Sequence, residues 1–270
     1  MYRHLSILLL IMLVFTGCSK WEIEIMDKTR AELRALIHDD DDRSFDNGDM
    51  IGIYPVKYIN GQPGTLGDPN NPMNLLHMYN SSCWTNSPGD EIYLDQENLD
   101  IYAYSPYDHN LSRTPDKLNL SSYPFDVSGN QLNKSKDFLW AKETAVNNQA
   151  NSISLSFSHL MARVIIHIIS DYELNNPEIA IHNTITDCTI NLRTGSVTPK
   201  SNSKPIYPSL LDSGNKINTS YSGIIIPQKL KAGTPLFSLT DQDRTTLYVT
   251  KEDISFNSQA TYTFNLKLEK

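Results

Sequence analysis

Ile153-Ser-Leu-Ser-Phe157 and, a few residues on, Val164-Ile-Ile-His-Ile-Ile169 decide the fold class. The first alternates apolar and polar residues, so one face of an extended chain is apolar and the other polar. The second is apolar enough to predict a strand buried on both faces, as in the core of a sandwich. Outward from this pair the same texture continues: short apolar or alternating runs separated by Gly, Pro, Asn and Asp. Met50 to Val56, Ile92 to Leu94, Leu99 to Tyr104 and Phe138 to Ala141 read as strands of a first unit. Asn60 to Met73 and Asp108 to Asn133 read as long polar loops. Ile153 to Phe157 opens a second unit, which continues through Gly223 to Ile226, Leu236 to Leu239, Thr246 to Val249 and Thr261 to Leu268. Within it, Cys188 to Leu192 and Ser196-Val197 flank Arg193-Thr194-Gly195, a hairpin connection whose glycine admits positive φ. No long amphipathic helix is legible. The expected fold is all-β, two antiparallel sandwiches in tandem, over 45–150 and 151–270.

The N-terminus reads differently. Met1-Tyr-Arg-His4 is positively charged, and Leu5 to Phe15 is apolar save Ser6. That run is shorter than the roughly 20 residues a spanning helix needs, so 1–17 is predicted to be a removable signal peptide. Thr16-Gly17-Cys18 resembles a bacterial lipobox, which implies that Cys18 carries the lipid. Residues 18–44 then form a lipidated tether holding a possible removable first strand, and end in the acidic run Asp39 to Asp42 before Arg43. The expected location is the outer membrane, lipid-anchored. The formal charge of -8 and pI near 5.3 exclude the clustered basic surface that nucleic acid requires. Beyond Cys18 only Cys83 and Cys188 remain, and their pairing is open.

Patterns that carry catalysis are missing. There is no phosphate-binding glycine loop, G-x-S-x-G or H-E-x-x-H. An EF-hand register with Gly48 at its sixth place puts Arg43 where the first carboxylate belongs, so Asp39 to Asp49 reads as a solvated acidic run. His77, His159 and His167 read as packing residues, and Asp241 and Asp243 as parts of a turn. No enzymatic activity, metal or cofactor is expected. The aromatic residues Tyr79, Trp84, Tyr93, Tyr102, Tyr104, Tyr107 and Trp140 suit a β core; alternatively, Trp84 and Trp140 could present a glycan-capturing surface.

Gly48-Asp49-Met50-Ile51-Gly52-Ile53-Tyr54, Leu99-Asp-Ile-Tyr-Ala-Tyr-Ser-Pro-Tyr107, Asp137-Phe-Leu-Trp-Ala141, Phe157-Ser-His159 and Ile226-Pro-Gln228 follow one another in the order found in fimbrillin-family lipoproteins of the Bacteroidetes. The chain resembles that family over about residues 45 to 230. The resemblance implies two transthyretin-like sandwiches and a role as a pilus subunit, anchor or accessory protein mediating adhesion, with other pilus subunits as partners. It also implies assembly by strand exchange: cleavage after an arginine removes the first strand, and a neighbour's strand takes its place. Arg30, Arg34 and Arg43 are the candidate cleavage points, and Tyr262, Phe264, Leu266 and Leu268 mark a candidate donor strand. The alternative is a monomeric surface lipoprotein that captures glycans.

Overall fold

A computed structural model describes residues 28–38, 44–111, 120–131, 136–150, 152–215 and 217–269. The predicted signal peptide, Cys18 and Arg43 lie outside them. The described chain is all-β, without an α-helix. The first sheet runs in the order Glu32–Ile37, Ser152–His159, Leu139–Val146, Leu99–Ser105, Met50–Ile59, Leu75–Asn80 and Cys83–Asn86, with the short strand Gln62–Pro63 paired beside Met50–Ile59. A four-stranded sheet follows the order Ser209–Asn215, Asn218–Ile225, Ala162–Ser170, Thr261–Leu268. A five-stranded sheet follows the order Gly129–Asn130, Ile206–Tyr207, Glu178–Ile181, Pro235–Asp241, Arg244–Val249.

Strand membership differs from the expectation at the middle of the chain. Ser152–His159 does not open the second unit; it lies in the first sheet, between Glu32–Ile37 and Leu139–Val146. Within the expected loop Asp108 to Asn133, Tyr123–Asp126 pairs with Asp187–Asn191, and Gly129–Asn130 with Ile206–Tyr207. The chain thus lends two short strands to the second unit before returning to complete the first. Periodicity identifies a strand but says nothing about its partner, which is why these assignments failed. Three pairings are parallel within an otherwise antiparallel architecture, including the N-terminal strand Glu32–Ile37 on Ser152–His159 and the C-terminal strand Thr261–Leu268 on Ala162–Ser170.

Both faces of the first sheet are covered. One face carries Ile51, Ile53, Ile101, Ala103, Ile153, Leu155 and Phe157, all 2 % exposed or less, in a core closed by Leu33, Phe45 and Leu94. The other carries Tyr54, Val56, Tyr102 and Tyr104, which join Phe138 and the second unit's Val164, Ile166, Ile190 and Phe237 in one larger core. Gly52 lies opposite Tyr104 in the ladder, and any side chain there would collide with the tyrosine ring. Continuous burial of this sheet explains why so many aromatics crowd the first unit. Val164 to Ile169, by contrast, is buried on one face only: Val164, Ile166 and Ile168 are fully buried, whereas Ile165 and His167 are half-buried and Ile169 is 43 % exposed.

Candidate assembly groove

Glu32–Ile37 alternates strictly. Leu33, Ala35 and Ile37 face the first core together with the preceding Ala31, whereas Glu32, Arg34 and Leu36 face solvent. The inward residues pair in register with equally apolar partners: Leu33 with Ile153, Ala35 with Leu155, Ile37 with Phe157. Backbone bonds pin the ends, from Ala31 N to Ile92 O at 2.9 Å and from His38 N to Phe157 O at 2.7 Å. Thr29–Arg30 continues outward onto Tyr93–Leu94, and the Arg30 guanidinium donates to Asn86 Oδ1 at 2.9 Å. Among the described residues the strand is therefore an edge strand, with one ladder and one apolar row. Burying that row contributes on the order of 5 kcal/mol by transfer reckoning. Its departure would bare Ile153, Leu155 and Phe157 along a groove whose floor is aromatic: Phe45 meets Trp84 edge-on at 4.9 Å and Phe157 at 5.4 Å, and Trp84 meets Tyr79 at 5.3 Å.

The candidate arginines fall at different depths. Arg30 sits where the chain passes from one ladder to the next. Arg34 lies mid-strand, its side chain exposed beside Glu32 at 3.6 Å but its backbone inside the ladder. Arg43 follows the described strand in sequence and lies outside the described residues.

The C-terminal strand occupies a place in its own sheet. Tyr262, Phe264, Leu266 and Leu268 pair in register with Val164, Ile166, Ile168 and Ser170 and point into the larger core. Phe264 meets Phe237 at 4.9 Å, and Tyr262 meets Phe256 at 4.8 Å. The Tyr262 hydroxyl donates to Ser255 O at 2.6 Å, and Tyr248 donates to Lys267 O at 2.9 Å on the outer edge.

Trp84 and Trp140 do not share a surface. Trp84 packs on the core beneath the N-terminal strand, whereas Trp140 belongs to the opposite core and donates to Leu192 O at 2.7 Å. Cys83 is exposed and Cys188 buried, each a free thiol, and burial pushes the Cys188 thiol up to about 12. His167 bonds Ser220 at 2.7 Å and His159 bonds Asp137 at 2.9 Å. Asp241 does not lie in the expected turn: it ends the strand Pro235–Asp241 and, buried, accepts from Asn175 N at 2.7 Å on a distant connection, whereas Asp243 sits in the turn. Among the described residues no group of three or more His, Cys, Asp and Glu side chains could hold a metal, and no helix is long and apolar enough to cross a membrane. Sequence reasoning missed Phe45 as part of the groove floor and missed the ion pair of Lys142 with buried Asp100, 3.1 Å apart. The only signal available for either was its position beside an alternating run.

Comparison with known proteins follows the same lines. The chain aligns along most of its length with candidate cell adhesion proteins of known crystal structure. One from Bacteroides uniformis shares 20% identity at a TM-score of 0.68, covering 89% of this chain and 93% of its own. Another from Bacteroides ovatus shares 19% at 0.70, covering 90% and 93%. A third from Bacteroides thetaiotaomicron shares 16% at 0.54, covering 88% and 92%. These likenesses establish a common fold. No curated protein matches. A family profile described as fimbrillin-like matches residues 29–270, beginning at Thr29, where the first described strand begins, and the chain belongs to that family.

Proposed function

We propose that this chain is a fimbrial subunit or accessory lipoprotein that mediates adhesion and assembles by strand exchange in the groove now filled by Glu32–Ile37. The observation that carries the proposal is the state of that strand: a parallel strand, paired on one side only among the described residues, whose inward row lies in register beside Ile153, Leu155 and Phe157. An uncovered apolar row beside a free ladder binds an extended chain through main-chain hydrogen bonds and alternate side chains. Of the candidate cleavage points, Arg43 frees the whole strand. Cleavage after Arg30 leaves Glu32–Ile37 attached, and cleavage after Arg34 requires a protease to reach backbone held in a ladder. Lipidation at Cys18 and outer-membrane anchoring of the uncleaved form complete the proposal. For the C-terminal strand to serve a neighbour, it must first leave Ala162–Ser170. The glycan-capturing alternative loses its basis, since the two tryptophans pack in separate cores.

The test is limited digestion by an arginine-specific protease, with N-terminal sequencing and an unboiled denaturing gel, alone and with neighbouring subunits. A new terminus at Ser44 accompanied by a detergent-resistant ladder is the expected result. A cut chain that stays monomeric with every subunit tried would overturn strand exchange.

A further inference from the structure

Arg244–Val249 ends the five-stranded sheet. It pairs with Pro235–Asp241 on one side and, among the described residues, with no strand on the other. Gly233 N donates to Thr250 O at 2.7 Å and Thr250 N to Thr234 O at 2.9 Å, so the even-numbered residues here turn their backbone groups towards the sheet. Thr245, Leu247 and Val249 therefore turn theirs outward, along the free edge. The same three residues hold their side chains on the solvent face, where Leu247 is 62 % and Val249 57 % exposed.

The other edges of the three larger sheets are blunted in ways that keep foreign strands off. Ser209–Asn215 is broken by two register shifts, and Gly129–Asn130 is two residues long. At the end of Thr261–Leu268, Lys267 O accepts from the Tyr248 hydroxyl at 2.9 Å and Glu269 O from the Arg244 guanidinium at 3.0 Å. Glu32–Ile37 carries Glu32 and Arg34 on its solvent face, and Arg30 just before it reaches Asn86 of Cys83–Asn86 at 2.9 Å. Arg244–Val249 has no proline, no bulge of its own and a single charged residue, Arg244. In a chain of formal charge -8, two copies can approach along this strand without setting carboxylate against carboxylate.

The edge is complementary to itself. In an antiparallel pairing about a two-fold axis at Tyr248, Leu247 of each copy lies opposite Val249 of the other, and both residues offer outward backbone groups. The apolar row then runs on across the junction, and Arg244 of each copy lies opposite Glu252 in the bend that follows the other's strand. Sliding by two residues, with Leu247 on Leu247, sets Arg244 against Thr250 and loses the charge match. Sliding by one sets outward backbone groups against groups already bonded within the sheet, and no ladder forms.

We propose that Arg244–Val249 is a lateral contact between two copies of this chain, joined by an antiparallel ladder in the register centred on Tyr248. The contact uses no part of the groove at Glu32–Ile37, so it stands apart from strand exchange.

The test is sedimentation velocity of the uncleaved chain at concentrations up to about 1 mM, because a short ladder makes a small interface and a weak complex. A dimer whose share rises with concentration is expected. Leu247→Lys should weaken it at least about tenfold, since lysine on an edge opposes pairing. Leu36→Lys, at a leucine 59 % exposed on a different edge, should leave it unchanged. Glu252→Arg should weaken the dimer, and Arg244→Glu in the same chain should restore it. A chain that stays monomeric throughout, or a dimer that survives Leu247→Lys, overturns the proposal. So does a dimer lost with Leu36→Lys, or one that the charge exchange fails to restore.

Discussion

Trp140 Nε1 donates a hydrogen bond to the carbonyl oxygen of Leu192 at 2.7 Å, tying a central strand of the first sheet to a hairpin of the second unit. The hairpin turns through Gly195 at a φ of +68°, where a Cβ would lie 2.7 Å from the indole. Gly195→Ala therefore combines a disfavoured backbone with a clash, and should cost about 2 kcal/mol or more. Denaturant unfolding gives the check, with Thr194→Ala as a control near zero. A midpoint equal to the parent's would show that the indole is not seated as described.

His77 predicts a response to acid. Burial lowers its imidazole from 6.5 to about 4, and Arg30 adds to the effect, while the Leu75 backbone and the Asp90 and Glu91 carboxylates oppose it. Its Nδ1 is buried without a hydrogen-bond partner. A depressed histidine contributes its full stability above the unfolded value near 6.5 and loses it as pH falls towards 4, about 3 kcal/mol in all. His77→Gln should flatten the dependence of unfolding free energy on pH across that window. Parallel profiles for the two proteins would disprove this assignment.

Asp100 is fully buried, and four groups converge on it: Lys142 Nζ at 3.1 Å, the Tyr58 hydroxyl at 2.9 Å, the Tyr102 hydroxyl at 3.3 Å and Ala145 N at 3.2 Å. Burial alone would raise its carboxyl, but these donors outweigh it and hold the group below the usual carboxylate range. Removing the carboxylate strands Lys142, so Asp100→Ala should destabilise by about 3 kcal/mol, and Tyr58→Phe by about 1. Thermal unfolding of both variants is the measurement; the order reversed would mean that the lysine is not held by Asp100.

The two thiols should differ in reactivity. Cys83 is exposed on the first sheet's last strand, whereas Cys188 is buried in the larger core. A thiol reagent applied to the folded chain should label Cys83 rapidly and Cys188 only after denaturation. Peptide mapping of the labelled sites decides the matter, and early labelling of Cys188 would contradict the packing.

The sequence by itself determined the all-β class, because alternation in Ile153 to Phe157 and Thr261 to Leu268 forces one apolar face on any extended chain. It also identified Gly195 as a turn residue, since few other residues tolerate positive φ. The candidate groove was legible only as a strand that can be removed. Tertiary structure decided which strand lies beside which. It placed Ile153 to Phe157 beside Glu32–Ile37 in one parallel ladder and drew Tyr123–Asp126 into the second unit. It also put Trp84 and Trp140 in separate cores. Partner choice depends on contacts between residues more than a hundred positions apart, as Leu33 and Ile153 are, and their apolar rows are interchangeable when read one strand at a time. Only the shared core, in which Leu33, Ala35 and Ile37 stand in register with Ile153, Leu155 and Phe157, distinguishes one pairing from another.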